Sequence, residues 1–242
     1  MKRKPLIIAL IVSIIAASFA FLPEKAEATT TNYYAQAGTG HSDYISNSAA
    51  WNTMVNAASA PSGVSTANGE VRCDYNTGNS YRYLVRGHLT FDTSAIPDDA
   101  TITEIKVYTK GNGTISHNAD WTLHVVTSTQ ASATALGAAD YGRVGKNSGG
   151  GVLASTLSDS DWSSITLNAT TTDWISKTGS TLIAFRCDRD LNNVDPNGFA
   201  YGNYYQYYSS GGDAPYLAIT YTEAGGGAEA PIGYTQRAYI ID

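Results

Sequence analysis

Tyr81-Arg82-Tyr83-Leu84-Val85-Arg86-Gly87-His88-Leu89-Thr90-Phe91 is the longest unbroken stretch of strand-like sequence in the chain. Successive side chains of an extended strand point to opposite faces. Tyr81, Tyr83, Val85, Gly87, Leu89 and Phe91 therefore share one face, and Arg82, Leu84, Arg86, His88 and Thr90 the other. The odd-numbered face is the expected core face. After Phe91 comes Asp92-Thr93-Ser94-Ala95-Ile96-Pro97-Asp98-Asp99-Ala100. Pro97 and the two aspartates give it turn chemistry, and Ile96 is an apolar plug.

The same period of two recurs on both sides of this stretch. Short runs rich in Tyr, Val, Ile and Thr lie at 33–37, 70–75, 101–110, 121–128, 163–167, 181–188, 204–208 and 216–221, separated by Gly, Asn, Asp, Ser and Pro. With 81–91 this predicts an all-β, antiparallel two-sheet β-sandwich. Two short helices are expected to close its ends. One spans 49–57 behind a Ser48 cap; the other spans 171–177, with Trp174 and Ile175 inward and Gly179 as the stop.

Composition agrees with one folded domain. The chain has 242 residues, 43% hydrophobic and 15% charged, with 23 Gly and 17 Tyr. That is too apolar for a disordered chain and too Gly-rich for a coiled coil. Residues 1–28 read as a secretory signal peptide: Lys2, Arg3 and Lys4 precede an apolar run, and Ala26-Glu27-Ala28 is a small-x-small cleavage site. The expected division is signal peptide 1–28, β-sandwich 29–223, and Gly-rich linker with tail 224–242. The tail follows Gly225-Gly226-Gly227 and carries Tyr234, Tyr239, Ile240 and Ile241, an apolar content suited to strand addition and self-association.

The formal net charge is −6. Loss of the leader deepens it, because Lys2, Arg3, Lys4 and Lys25 leave with only Glu24 and Glu27. An acidic chain without clustered Lys and Arg is not built for nucleic acid or anionic lipid, and no second apolar stretch is long enough to span a membrane. Phosphate loops, nucleophile elbows and zinc motifs are absent, and His41, His88, His117 and His124 stand singly in structural settings. Acidic pairs such as Asp159 and Asp161 have the residue types of a glycosidase acid and base, but loop solvation explains them better. A non-enzymatic role is expected.

The segment Tyr83 to Thr103 resembles the DNRLRE-type extracellular domain, in which an arginine-bearing strand ends in Phe-Asp and is followed by Ser-x-Ile-Pro, a turn and Ala-Thr-Ile. Here these are Phe91-Asp92, Ser94-Ala95-Ile96-Pro97 and Ala100-Thr101-Ile102. The closing Ser209-Ser210-Gly211-Gly212-Asp213-Ala214-Pro215-Tyr216-Leu217-Ala218-Ile219-Thr220-Tyr221 is similar to that family's last loop and strand. The chain departs at Gly87-His88, where the family strand carries an apolar residue. The resemblance implies a jelly-roll sandwich on secreted, cell-surface or phage-associated proteins, in a carbohydrate-binding or adhesive setting.

Three sets of residues are candidate sites. Tyr201, Tyr204, Tyr205, Tyr207 and Tyr208 crowd one segment; Tyr205 and Tyr207 should face one way and Tyr204 and Tyr208 the other, one set in the core and one exposed for stacking on sugar or on a protein partner. Asp188, Asp190, Asn192, Asn193 and Asp195 offer hard oxygen ligands for a structural Ca²⁺, although turn-forming Asx residues produce the same composition. Cys73 and Cys187 are candidates for one disulfide in an exported chain, or for two buried thiols. Trp51, Trp121, Trp162 and Trp174 are expected in the core. The functional expectation is a secreted domain that binds glycan or another surface polymer through the Tyr-rich segment. A structural or adhesive subunit is the alternative, and a polysaccharide hydrolase the third.

Overall fold

The computed structural model describes residues 26–76, 80–117, 121–196 and 203–223. The leader up to residue 25, with its expected cleavage, Tyr201, and the 224–242 linker and tail, with its expected strand pairing, lie outside the described residues. Ala28, the expected last residue of the leader, opens the first strand.

The described chain is mostly β. Its strands are β1 (Ala28–Tyr34), β2 (Gly40–Ser46), β3 (Gly63–Ser65), β4 (Gly69–Asn76), β5 (Tyr81–Asp92) and β6 (Thr101–His117). They continue as β7 (Thr122–Ser128), β8 (Val144–Leu153), β9 (Trp162–Thr166), β10 (Ser180–Cys187), β11 (Asn203–Tyr207) and β12 (Tyr216–Thr222). The hydrogen-bonded order is β1-β12-β6-β11-β4-β5-β10-β7-β8, with β2 and β3 branching from β5 and β9 pairing β6. The pairings are antiparallel, as the alternating pattern predicts. One apolar cluster joins Tyr33, Leu217 and Ile105 from one end of this order to Leu89, Ile183 and Val125 near the other. The sheet therefore curls until its two ends share a core; each fully buried Leu, Ile or Phe there contributes roughly 1.5–3 kcal/mol.

Three strands escaped the sequence reading: β2, β3 and the Gly-rich β8. In β8 a side chain at Gly149 would collide with the Trp174 ring, so glycine is what lets the strand lie against that indole. A similar close approach puts the Tyr207 ring over Gly69 of β4.

The expected helices are shorter than predicted. α1 spans Trp51–Val55, and the residue before it is Ala50, without a side-chain cap. Ser46, not Ser48, supplies the local acceptor, taking the Ala49 amide at 2.9 Å. The second expected helix is a 3-10 helix, Ala169–Trp174, ending before Ile175 turns extended. Its run of three threonines is β-branched and disfavours a longer α-helix. A further helix, α2 (Asp188–Asn192), occupies the segment read as a loop of oxygen ligands, and left-handed Asn193 terminates it.

The expectation for β5 needs correction. Gly87, Leu89 and Phe91 do face the core, but Tyr81 and Tyr83 are only half-buried, and the even-numbered Leu84, Arg86, His88 and Thr90 are buried as well. The strand lies deep because α1, the 3-10 helix Ala138–Arg143 and α2 cover its even face, each accepting a hydrogen bond from Arg86. Among the described residues no helix is long and apolar enough to cross a membrane.

Candidate functional site

Asp190, placed above among candidate Ca²⁺ ligands, is fully buried between two arginines. Arg86 donates Nε to Oδ2 at 2.8 Å and a terminal nitrogen to Oδ1 at 2.7 Å. Arg186 makes the same two-pronged contact at 2.7 and 2.6 Å. Their remaining donors go to the Tyr141, Val55 and Gly145 carbonyls, and the Arg86 guanidinium lies 4.2 Å from the centre of the Tyr141 ring. Burial alone would raise the Asp190 carboxyl, but the guanidinium groups outweigh it and hold the pKa below the usual carboxylate range.

Both Asp190 oxygens are thus committed, and Asp195 pairs with Arg82 at 3.3 Å. Of the candidate Ca²⁺ ligands Asp188, Asp190, Asn192 and Asp195, Asp190 is thus an internal counter-ion whose carboxylate is already engaged. Among the described residues no group of three or more His, Cys, Asp or Glu side chains is placed to hold a metal.

Cys73 and Cys187 are joined in a disulfide, with Cα atoms 6.5 Å apart. Cys187 precedes α2, and its sulfur accepts the Asp190 amide at 3.4 Å, so the crosslink abuts the ion cluster. The histidines are structural where described. His88 is fully buried with Nε2 2.8 Å from Ser42 Oγ, and burial lowers its pKa to about 3. His41 contacts the Asn68 carbonyl and His124 the Ser148 hydroxyl. Asp159 and Asp161 are exposed, and their carboxylates accept bonds from the adjacent Ser160 and Trp162.

The Tyr-rich segment divides in the expected way. Tyr205 and Tyr207 are the core pair, with no exposed surface, which removes them from the ligand-binding set. The Tyr207 hydroxyl donates to the Gly40 carbonyl at 3.0 Å. Tyr204 is half-buried, with Arg72 packed 5.3 Å from its ring centre. Tyr208 is exposed, and its amide donates to the Lys110 carbonyl.

Lys110 leads to an aromatic cluster the sequence reading did not assemble. Tyr34 of β1, Tyr216 of β12 and Tyr108 of β6 lie opposite one another across three paired strands. Tyr216 is the hub: Tyr108 stacks on it at 4.6 Å, Trp162 meets it edge-on at 5.1 Å, and Tyr34 lies at 5.6 Å. Their sequence neighbours Tyr33, Leu217 and Val107 point into the core, so the cluster occupies the outward face of the same strands. Tyr34 is 60% exposed. Trp162, expected in the core, is half-buried in this cluster, whereas Trp51 and Trp121 are buried as expected.

Among the described residues two cations lie on this face, and both are matched. Lys106 pairs with Glu104, and Lys110 with Asp213, each at 2.8 Å. Burial and the neighbouring tyrosines raise the Tyr216 phenol pKa, so the hub ring is a neutral hydrogen-bonding group. Such a face combines apolar ring surface with hydroxyl, ammonium and carboxylate groups at its edge. Comparison of the sequence with known families and with curated proteins found no family model and no curated protein that matches the chain.

Proposed function

We propose that the chain is a secreted, non-catalytic binding domain of two-sheet jelly-roll architecture, which holds a glycan on the outward face of β1, β12, β6 and β9. The observation that carries this reading is the outward-facing aromatic cluster around Tyr216, with Tyr34 exposed and Tyr108, Trp162 and Tyr216 half-buried, flanked by matched ion pairs. Aromatic rings stack on the C–H faces of sugars, while phenol and charged groups at the margin take hydroxyls. The leader-like segment 1–28 supports export, and the resemblance of 83–103 and 209–221 to DNRLRE-type domains supports the sandwich and a surface setting. The disulfide fits an oxidising compartment. The site is therefore moved from the Tyr-rich segment to Tyr34, Tyr108, Trp162 and Tyr216, with Tyr208 at its border.

Pull-down of the mature protein on insoluble polysaccharides tests the reading. Wild type should be retained by at least one polymer, and Tyr34→Ala should be released. Tyr34 is exposed, so its loss should leave the fold intact. Retention of Tyr34→Ala equal to wild type removes the site.

A second reading, a structural or adhesive subunit, is favoured by one observation. β1 lies at the end of the strand order, and its exposed residues carry no charge to block pairing with another chain. Sedimentation of concentrated protein without glycan separates the two: self-association in the absence of polymer favours assembly.

A further inference from the structure

We infer that the aromatic cluster is one end of a longer track along β6, and that the track takes an extended, uncharged, β-1,4-linked polysaccharide. This deepens the glycan reading and rests on it. The second end is a cavity of about 230 Å³ between β6, the end of β9 and the 3-10 helix Ala169–Trp174. Its polar lining comes from Thr103, Glu104, Thr166, Asn168 and Thr172. These are hydroxyl, amide and carboxylate groups, able to donate to and accept from sugar hydroxyls.

Strand register places both ends on one face. Tyr108 lies opposite Ser164 and Lys106 opposite Thr166, so Glu104, Lys106 and Tyr108 alternate outward along β6 beside Ser164 and Thr166 of β9. Glu104 of the cavity and Tyr108 of the cluster are four residues apart on a single strand, about 13 Å at the strand rise. A ligand touching both must span more than one sugar and follow a straight path. An extended β-1,4-linked chain does so and presents flat ring faces to aromatics, whereas an α-1,4-linked glucan coils away from a straight strand.

Charge selects against a polyanion. Between the two ends lies Lys106, already paired with Glu104, and beyond the cluster lies Lys110, paired with Asp213. A polyuronate would have to displace those carboxylates while approaching a chain of net charge −6.

Titration of the mature protein with cello-, xylo- and manno-oligosaccharides from disaccharide to hexasaccharide tests the track. Malto-oligosaccharides and polygalacturonate serve as coiled and charged comparators. In at least one β-1,4 series, affinity should rise tenfold or more with length. Asn168→Ala/Thr166→Ala, a double change at two exposed positions, should abolish that rise. Tyr34→Ala should weaken every length. Length-independent affinity, or hexasaccharide affinity unchanged in the double variant, overturns the track and leaves glycan binding standing. Tighter binding of the malto series or of polygalacturonate overturns the assigned ligand class. Failure of all these glycans to bind overturns the track, and failure on the insoluble panel as well overturns the glycan reading.

Discussion

Arg86 on β5 and Asp190 on α2, 104 positions apart in sequence, form a two-pronged ion pair with both groups buried. Arg186 shares the same carboxylate from the other side, so removing Asp190 strands two guanidinium groups where water cannot reach them. Breaking a buried pair by deleting one partner costs about 3–5 kcal/mol. Asp190→Ala should therefore lower the urea midpoint by at least that much stability, and a loss below about 1 kcal/mol would show that the cluster is not under this load.

The buried His88 makes the fold sensitive to acid. Its pKa falls from an ordinary 6.5 to about 3 on folding. A depressed folded pKa means that the unfolded chain takes the proton first, so stability is full above pH 6.5 and declines as pH falls toward 3. Between pH 6.5 and 5 the loss should be about 1.5–2 kcal/mol. His88→Gln, which cannot take up that proton, should flatten the decline; the check is a pair of urea titrations at the two pH values. An equal slope in wild type and variant would contradict this assignment.

Reduction should weaken the fold without touching the aromatic face. The Cys73–Cys187 crosslink closes a loop with a sequence separation of 114. In the chain-entropy account a loop of that size is worth about 4–5 kcal/mol. Non-reduced peptide mapping should recover the linked pair, and Cys73→Ala/Cys187→Ala should melt earlier yet keep its polysaccharide retention when assayed below its melting temperature. Two free thiols in protein isolated without reductant would contradict the pairing.

The glycine at Gly69 should resist substitution. A methyl group there would occupy space held by the Tyr207 ring, which is buried and donates to Gly40. Overpacking of this kind costs about 1–3 kcal/mol. Gly69→Ala should lower the thermal midpoint accordingly, and Gly69→Ala/Tyr207→Phe should not restore it, because the ring itself remains.

Alternation along each run made most strands legible, because one side of each had to meet a core. The reading failed at β8, whose Gly149-Gly150-Gly151 looks like a linker until Trp174 is seen against it. Asp188 to Asp195 was ambiguous for a different reason. Ca²⁺ ligands, turn formers and ion-pair partners share one composition there, and the deciding arginine lies on β5. The aromatic cluster was hidden for the same reason. Tyr34, Tyr108, Trp162 and Tyr216 come from four strands, and only their pairing register brings them together. The visible Tyr-rich segment instead supplied two core rings.

Affinity electrophoresis in gels containing the soluble form of whichever polysaccharide retains the protein tests the central claim most directly. The account predicts that Tyr34→Ala, which removes the most open ring of the cluster, loses tenfold or more in affinity. That is about 1.4 kcal/mol, the scale of one exposed anchor. Tyr204→Ala, on the Tyr-rich segment and packed against Arg72, should migrate like wild type. Undiminished retardation of Tyr34→Ala together with loss in Tyr204→Ala would contradict the account and return the site to the Tyr-rich segment.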